Sequence, residues 1–217
     1  MSLRTLRSTA LTTGLAILMA VATTVDAQQF RLSPSLVSLT HSEIGEDLEF
    51  SGVGGGLVAS YRTGRFGVAG EGILGSLASG DQAVTASSYR VALFDLRATY
   101  RVLPGLDAVL GAQSRSISPE FAAQDVGLIR IGLATETALS RLADIGVRGA
   151  WLPYADFNGG GEAGFGFEVG LGVSVGPADG RYRALMSYDF QRIDRTVNGA
   201  DVPMQMMVAR LGLQVGF

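Results

Sequence analysis

The chain has no cysteine and no lysine, so all 17 of its basic side chains are arginine. It holds one histidine, one tryptophan and six prolines. Each shortage excludes something. Without cysteine there is no disulfide framework, no thiolate-held metal and no lipid-modified N-terminus. With 17 basic against 20 acidic residues and a net charge of −3, the chain lacks the basic stripe of a nucleic-acid binder, and no nucleic-acid partner is expected. Its apolar content of 47% is too high for a disordered chain. Glycine is the residue in excess, 30 in all, about twice the usual share.

The one apolar run is at the start. Arg4 and Arg7 precede an apolar stretch from Leu11 to Val21, and Val25-Asp26-Ala27 follows with small residues third and first before a cut. This is the three-part pattern of a secretory signal peptide, with cleavage expected between Ala27 and Gln28. The run is shorter than the ~18–20 residues that span a bilayer, which disfavours a membrane anchor. Residues 1–27 are therefore read as a leader, and 28–217 as one domain.

Beyond Ala27 no stretch is apolar enough for a helical span, and period 2 dominates. From Ala163 to Gly176 the odd positions are Ala163, Phe165, Phe167, Val169, Leu171, Val173 and Val175, while the even ones are glycine, serine or glutamate. Strict alternation of this length predicts a strand. Similar segments predict strands at roughly 30–40, 48–62, 65–77, 88–102, 105–117, 126–140, 143–154, 163–176, 180–193 and 203–217. Their connections alternate between tight Gly/Pro/Asp turns and longer polar loops, as in an up-and-down meander. Pro34 interrupts the first strand, and its phase slips near Leu36-Val37. The expected fold class is all-β, an antiparallel up-and-down transmembrane β-barrel of ten strands, with eight as the alternative.

The charged residues decide which way the faces point. Glu71, Asp95, Arg97, Arg115, Arg130, Glu136, Arg148, Glu168, Arg183, Asp189 and Arg210 all fall opposite the apolar face of their strands. A secreted soluble barrel of the lipocalin type would point those charges outward; a membrane barrel points them into its lumen. Aromatic residues cluster at strand ends: Tyr61, Phe66, Tyr100, Tyr182 and Phe217 near the short turns, Phe50, Trp151, Phe165, Tyr188 and Phe190 near the long loops. Two such belts suit the two interfaces of a bilayer. Glycines such as Gly52, Gly54, Gly56, Gly164, Gly166, Gly170 and Gly172 crowd the smaller face, where a narrow lumen needs room for Arg and Glu.

The last strand ends on Phe217, with Leu211, Leu213 and Val215 at alternate positions behind it. This resembles the C-terminal assembly signal of Gram-negative outer-membrane β-barrel proteins. The resemblance implies a protein of the outer membrane, delivered by its leader, recognised by the barrel-assembly machinery and surrounded by outer-membrane lipids including lipopolysaccharide. An extracellular ligand of unknown identity is also envisaged.

Within that family the eleven inward charges predict a salt-bridged, largely closed lumen and a structural or surface-interaction role, since an unpaired charge in a low-dielectric wall is strongly destabilising. The alternative is a narrow channel for small solutes. The outer loops are acidic, with Glu43, Glu46, Asp47, Asp81, Glu120, Asp125, Asp156, Glu162, Asp194 and Asp201 against Arg192 and Arg195. Such carboxylates suit divalent cations, but a solvated surface accounts for them as well. Catalysis is not expected. His41 lies in the first outer loop on this reading, as does the histidine of outer-membrane lipid A palmitoyltransferases. The nearest Asp-Ser candidate, Ser79-Gly80-Asp81, departs from that family's pattern. Omptin proteases are ten-stranded and use rim acids with a histidine, but they are longer and theirs comes late in the chain. Gly159 to Gly164 matches a dinucleotide-binding fingerprint only formally, because it opens a strand and no helix. No cofactor and no metal are expected.

Overall fold

Val, Ile, Leu, Phe and Tyr at every second position favour a pleated, half-buried surface, and they produce strands almost throughout. The computed structural model describes residues 30–43, 48–79, 88–117, 123–177 and 180–217. The leader and its cleavage point lie outside the described residues, as do Glu46, Asp47, Asp81 and Glu120. The strands are β1 (Phe30–Glu43), β2 (Leu48–Thr63), β3 (Phe66–Ser79), β4 (Ser88–Leu103), β5 (Leu106–Ile117), β6 (Val126–Ala138), β7 (Ala143–Phe157), β8 (Glu162–Val175), β9 (Tyr182–Val197), β10 (Ala200–Asp201) and β11 (Met204–Gly216). At 12 to 16 residues the long strands exceed the ~9–11 needed to cross a bilayer when tilted.

Every strand runs antiparallel to its neighbours, and β1 pairs with β11, so the sheet closes on itself. Closure removes both edges and satisfies the backbone within the wall. The two-residue β10 pairs only with β9, as the first step of the stave that β11 continues. Val202 N donates to Arg195 O across the gap, and Pro203, without an N–H, marks the break. The barrel therefore has ten staves. The interruption expected at Pro34 does not occur on the β2 side, where pairing runs unbroken from Phe30↔Tyr61 to Glu43↔Leu48. Only the β11 register skips Ser33 and Pro34.

The short turns follow their residues. Gly64, with φ of +54°, opens the two-residue turn between β2 and β3. Pro104-Gly105, with φ of +78° at the glycine, fits the Pro-Gly preference of a type II turn between β4 and β5. Phe30, the first described residue, and Phe217 meet at this short-turn end, where Phe217 N donates to Phe30 O and the two rings sit 6.0 Å apart.

The outward positions form an apolar wall. Leu36, Val53, Leu74, Leu110, Ile131 and Leu171 stand exposed on it. Among the described strand residues its outward-facing charges are Glu49, Arg90, Asp156, Glu162, Arg192, Asp194 and Asp201, all toward the long-loop end. No water-soluble barrel leaves so large an apolar surface uncovered. Phe66, Tyr100, Tyr182 and Phe217 ring the short-turn end, and Trp151, Tyr154 and Phe165 ring the other, whereas Tyr188, expected in that second belt, is the register partner of Leu171 and stands at mid-wall.

The interior differs along its length, which alternation alone does not reveal. Its long-loop half is a packed apolar core of Val37, Leu39, Phe50, Ile73, Leu77 and Leu93 with their neighbours, beside a second cluster around Leu128, Leu152 and Ile193. Two expectations change here. Phe50 is not a belt residue but is buried inside, its ring 5.0 Å from that of Tyr89. The apparent phase slip in β1 arises because Leu36 faces out and Val37 faces this core, so both positions are apolar.

Candidate functional site

The middle of the lumen is crossed by a ring of charges. Glu71 and Asp95 are direct register partners on β3 and β4, a juxtaposition of two acids that is destabilising alone. Arg97 resolves it, with Nη2 3.2 Å from Glu71 and Nε 2.7 Å from Asp95. Asp95 also takes Arg130 Nη2 at 2.5 Å, and Arg130 Nη1 reaches Glu168 at 2.9 Å. Arg148 joins Glu168, at 3.3 Å, to Asp189, at 2.5 Å. Arg210 then pairs with Asp189 and grips Glu71 with Nε at 2.6 Å and Nη2 at 3.1 Å. The circuit closes where it began. Four arginines and four carboxylates alternate around it, so its formal charge is zero.

Two glycines let the ring pass over intervening strands. Gly170 on β8 is the register partner of both Arg148 and Asp189. A Cβ there would stand 2.2 Å from Asp189 Oδ1 and 2.7 Å from Arg148 Cγ. Gly111 on β5 stands in the same way between Arg97 and Arg130, and a Cβ would meet Arg130 Cγ at 3.0 Å. Gly170→Val is therefore expected to push Arg148 off Asp189 and cost about 1–3 kcal/mol, the usual range for overpacking. Urea unfolding in lipid vesicles measures it, with Gly149→Val, where a Cβ meets nothing within 4 Å, as the unaffected control.

The eleven inward charges are thus not one network. Arg115, Glu136 and Arg183 share the ring's parity but not its height. Arg183 pairs with Asp144 near the short turns. Glu136 is exposed at the mouth. Arg115 is buried in the long-loop half, with Nη1 3.3 Å from the sulfur of Met206 and Nη2 facing that of Met204. Residues outside the sequence expectation also take part. Gln191 Nε2 donates to Gln113 at 2.8 Å and lies 3.3 Å from Glu168. Their inward parity is plain in the sequence, but as uncharged residues they do not stand out against the apolar face as the charges do. Asp144 has the parity of Arg148, and that signal was available too.

Below the ring, toward the short turns, lies a cavity of about 260 Å³ with Arg210 in its wall. A second hollow at the rim shares Glu136 and Asp144 with it. Above the ring the packed core fills the lumen.

The other candidate residues are dispersed. His41 is not in a loop: it sits on β1, faces inward, is 3% exposed, and its Nδ1 lies 2.9 Å from the Tyr89 hydroxyl. Glu43 is likewise buried on β1, and Arg195 points inward over the Phe157 ring at 4.3 Å. Among the described residues no three His, Asp or Glu side chains are grouped to hold a metal ion. Leu211, Leu213, Val215 and Phe217 follow one another on the outward face of the closing strand and its end, and the Arg181 guanidinium lies over the Phe217 ring at 5.8 Å.

Ten antiparallel staves with an apolar outside and a charge-crossed inside define a transmembrane β-barrel. No family model and no curated protein matches the sequence. Solved structures do match, and the fold is that of Gram-negative outer-membrane β-barrel proteins. The outer membrane protease OmpT of Escherichia coli superposes with a TM-score of 0.54 at 11% identity, over 90% of this chain and 99% of that one. Neisserial surface protein A matches with a TM-score of 0.44 at 13% identity, covering 87% and 97%. The attachment invasion locus protein Ail of Yersinia pestis gives 0.41 at 12%, covering 88% and 100%. At these identities the likeness is one of fold.

Proposed function

We propose that the protein is an integral β-barrel of the Gram-negative outer membrane, with a structural or surface-interaction role and a lumen that does not conduct. One observation carries this reading: the closed ion ring spans the lumen directly beneath a packed apolar core, so a solute would have to break both. Opening the ring leaves buried charges without partners, which costs several kcal/mol for each. Lipid, including lipopolysaccharide, covers the apolar wall, and the row from Leu211 to Phe217 is the segment offered to the barrel-assembly machinery. A non-catalytic role fits the placement of His41, whose ring is enclosed by the core where no substrate reaches it.

The test is planar-bilayer recording of the purified protein, paired with heat-modifiable migration of the outer-membrane fraction on a denaturing gel. The expected record shows no stable open state, from a protein that fractionates with the outer membrane. A sustained large conductance would replace the closed barrel with a channel. Absence from the outer-membrane fraction would remove the location itself.

A further inference from the structure

The lumen between the ion ring and the short turns is hollow, unlike the half above. Its cavity of about 260 Å³ is walled by serines from four strands: Ser33 and Ser35 on β1, Ser60 on β2, Ser174 on β8 and Ser187 on β9. Ser33 and Ser174 are only 6% and 9% exposed. The Oγ atoms of Ser174 and Ser35 are buried and hydrogen-bond to no protein group. A buried hydroxyl without a partner carries a free-energy cost, so this wall is suited to receive a hydrogen-bonding group.

The charges at the mouth narrow the chemistry. Asp107 is held by Arg62 and Arg101, and Asp144 by Arg183. Arg210 at the floor is committed to Glu71 and Asp189. Among the described residues of the mouth, Glu136 alone is a carboxylate in no ion pair, and it lines both the cavity and the rim hollow. Among the described residues that line the cavity, the one cation, Arg210, is thus taken up, whereas the carboxylate of Glu136 is open to an ammonium group; Arg31, inward on β1 as the partner of Ser60, stands outside this lining. The volume lies just below the ~300 Å³ at which small-molecule sites begin, enough for a single compact ligand.

We propose that this vestibule is a binding site, entered from the short-turn end, for a small hydroxylated ammonium compound of the amino-sugar class. The ammonium group pairs with Glu136, and the hydroxyls bond the serine wall. The site rests on the closed-lumen reading only in being a dead end, and its binding is measured without reference to conductance.

Saturation-transfer NMR on the refolded full barrel in detergent, with glucosamine and glucose as the two probes, tests the proposal. Glucosamine is expected to bind about tenfold more tightly than glucose, as one charge-assisted contact predicts. Glu136→Gln, at an exposed rim position, should bring glucosamine down to the level of glucose. Ser174→Val should weaken both sugars. The heat-dependent gel shift verifies that each variant is folded. The proposal fails if neither sugar binds at millimolar concentration, or if Glu136→Gln leaves glucosamine unchanged. An open channel found by bilayer recording would end the closed-lumen reading and leave this result standing.

Discussion

Arg130→Met is expected to lower the unfolding free energy by about 3–5 kcal/mol, as read by urea titration of the barrel in lipid vesicles. Arg130 is 1% exposed and bridges Asp95 to Glu168. Methionine keeps the length and fills the space, so cavity formation contributes little. What is lost is the cation, which leaves Asp95 with Arg97 alone and opens the ring between β4 and β8. The double variant Arg130→Met, Asp95→Asn should recover part of the loss, because the damage lies in the uncompensated carboxylate more than in the missing contact. A loss under about 1 kcal/mol, in the range of an exposed pair, would mean that water reaches the ring freely.

Leu171→Arg is expected to cost about 2–4 kcal/mol in the same vesicles, the range for arginine on the lipid face at the bilayer midplane. Leu171 faces outward on β8, midway between the belts, and is 51% exposed. Gln205→Arg, outward on β11 beside Arg192 at the long-loop end, should cost only about 0–1 kcal/mol, as near an interface. Equal and negligible effects at the two positions would describe a barrel surrounded by water. The contrast reads the surrounding solvent directly, because neither side chain touches the lumen.

The strand positions were legible because alternation survives in every stave, and the observed bounds differ from the expected ones by a few residues at most. Where alternation blurred, the reason is physical. Leu36 and Val37 are both apolar because lipid lies on one side of β1 and a packed core on the other. For the same reason Phe50 and His41, near strand ends, read as belt and loop residues while both face inward. The site was legible by parity and not by height. Arg115, Arg130 and Arg183 share one parity, yet only Arg130 lies at the ring. Height depends on the stagger between strands, which the hairpin turns and a bulge such as that between Arg101 and Leu103 set, and no single strand's sequence encodes it. The reason Gly111 and Gly170 stand where they do also appears only with the register, since each is defined by the two charges on its flanking staves.

The ring also bears on the order in which the chain matures. Glu71 and Arg210 are 139 residues apart, and the strand carrying Arg210 is the one that docks on β1. Until β11 is in place, Glu71 and Asp189 both lack one of their cations, so an intermediate with nine staves is disfavoured electrostatically as well as by its open edges. Such long-range contacts make folding slow and late-committing. Completion of the wall and neutralisation of the lumen become a single event, which acts as a proofreading step: a chain that has not reached its final strand gains little from having inserted the others.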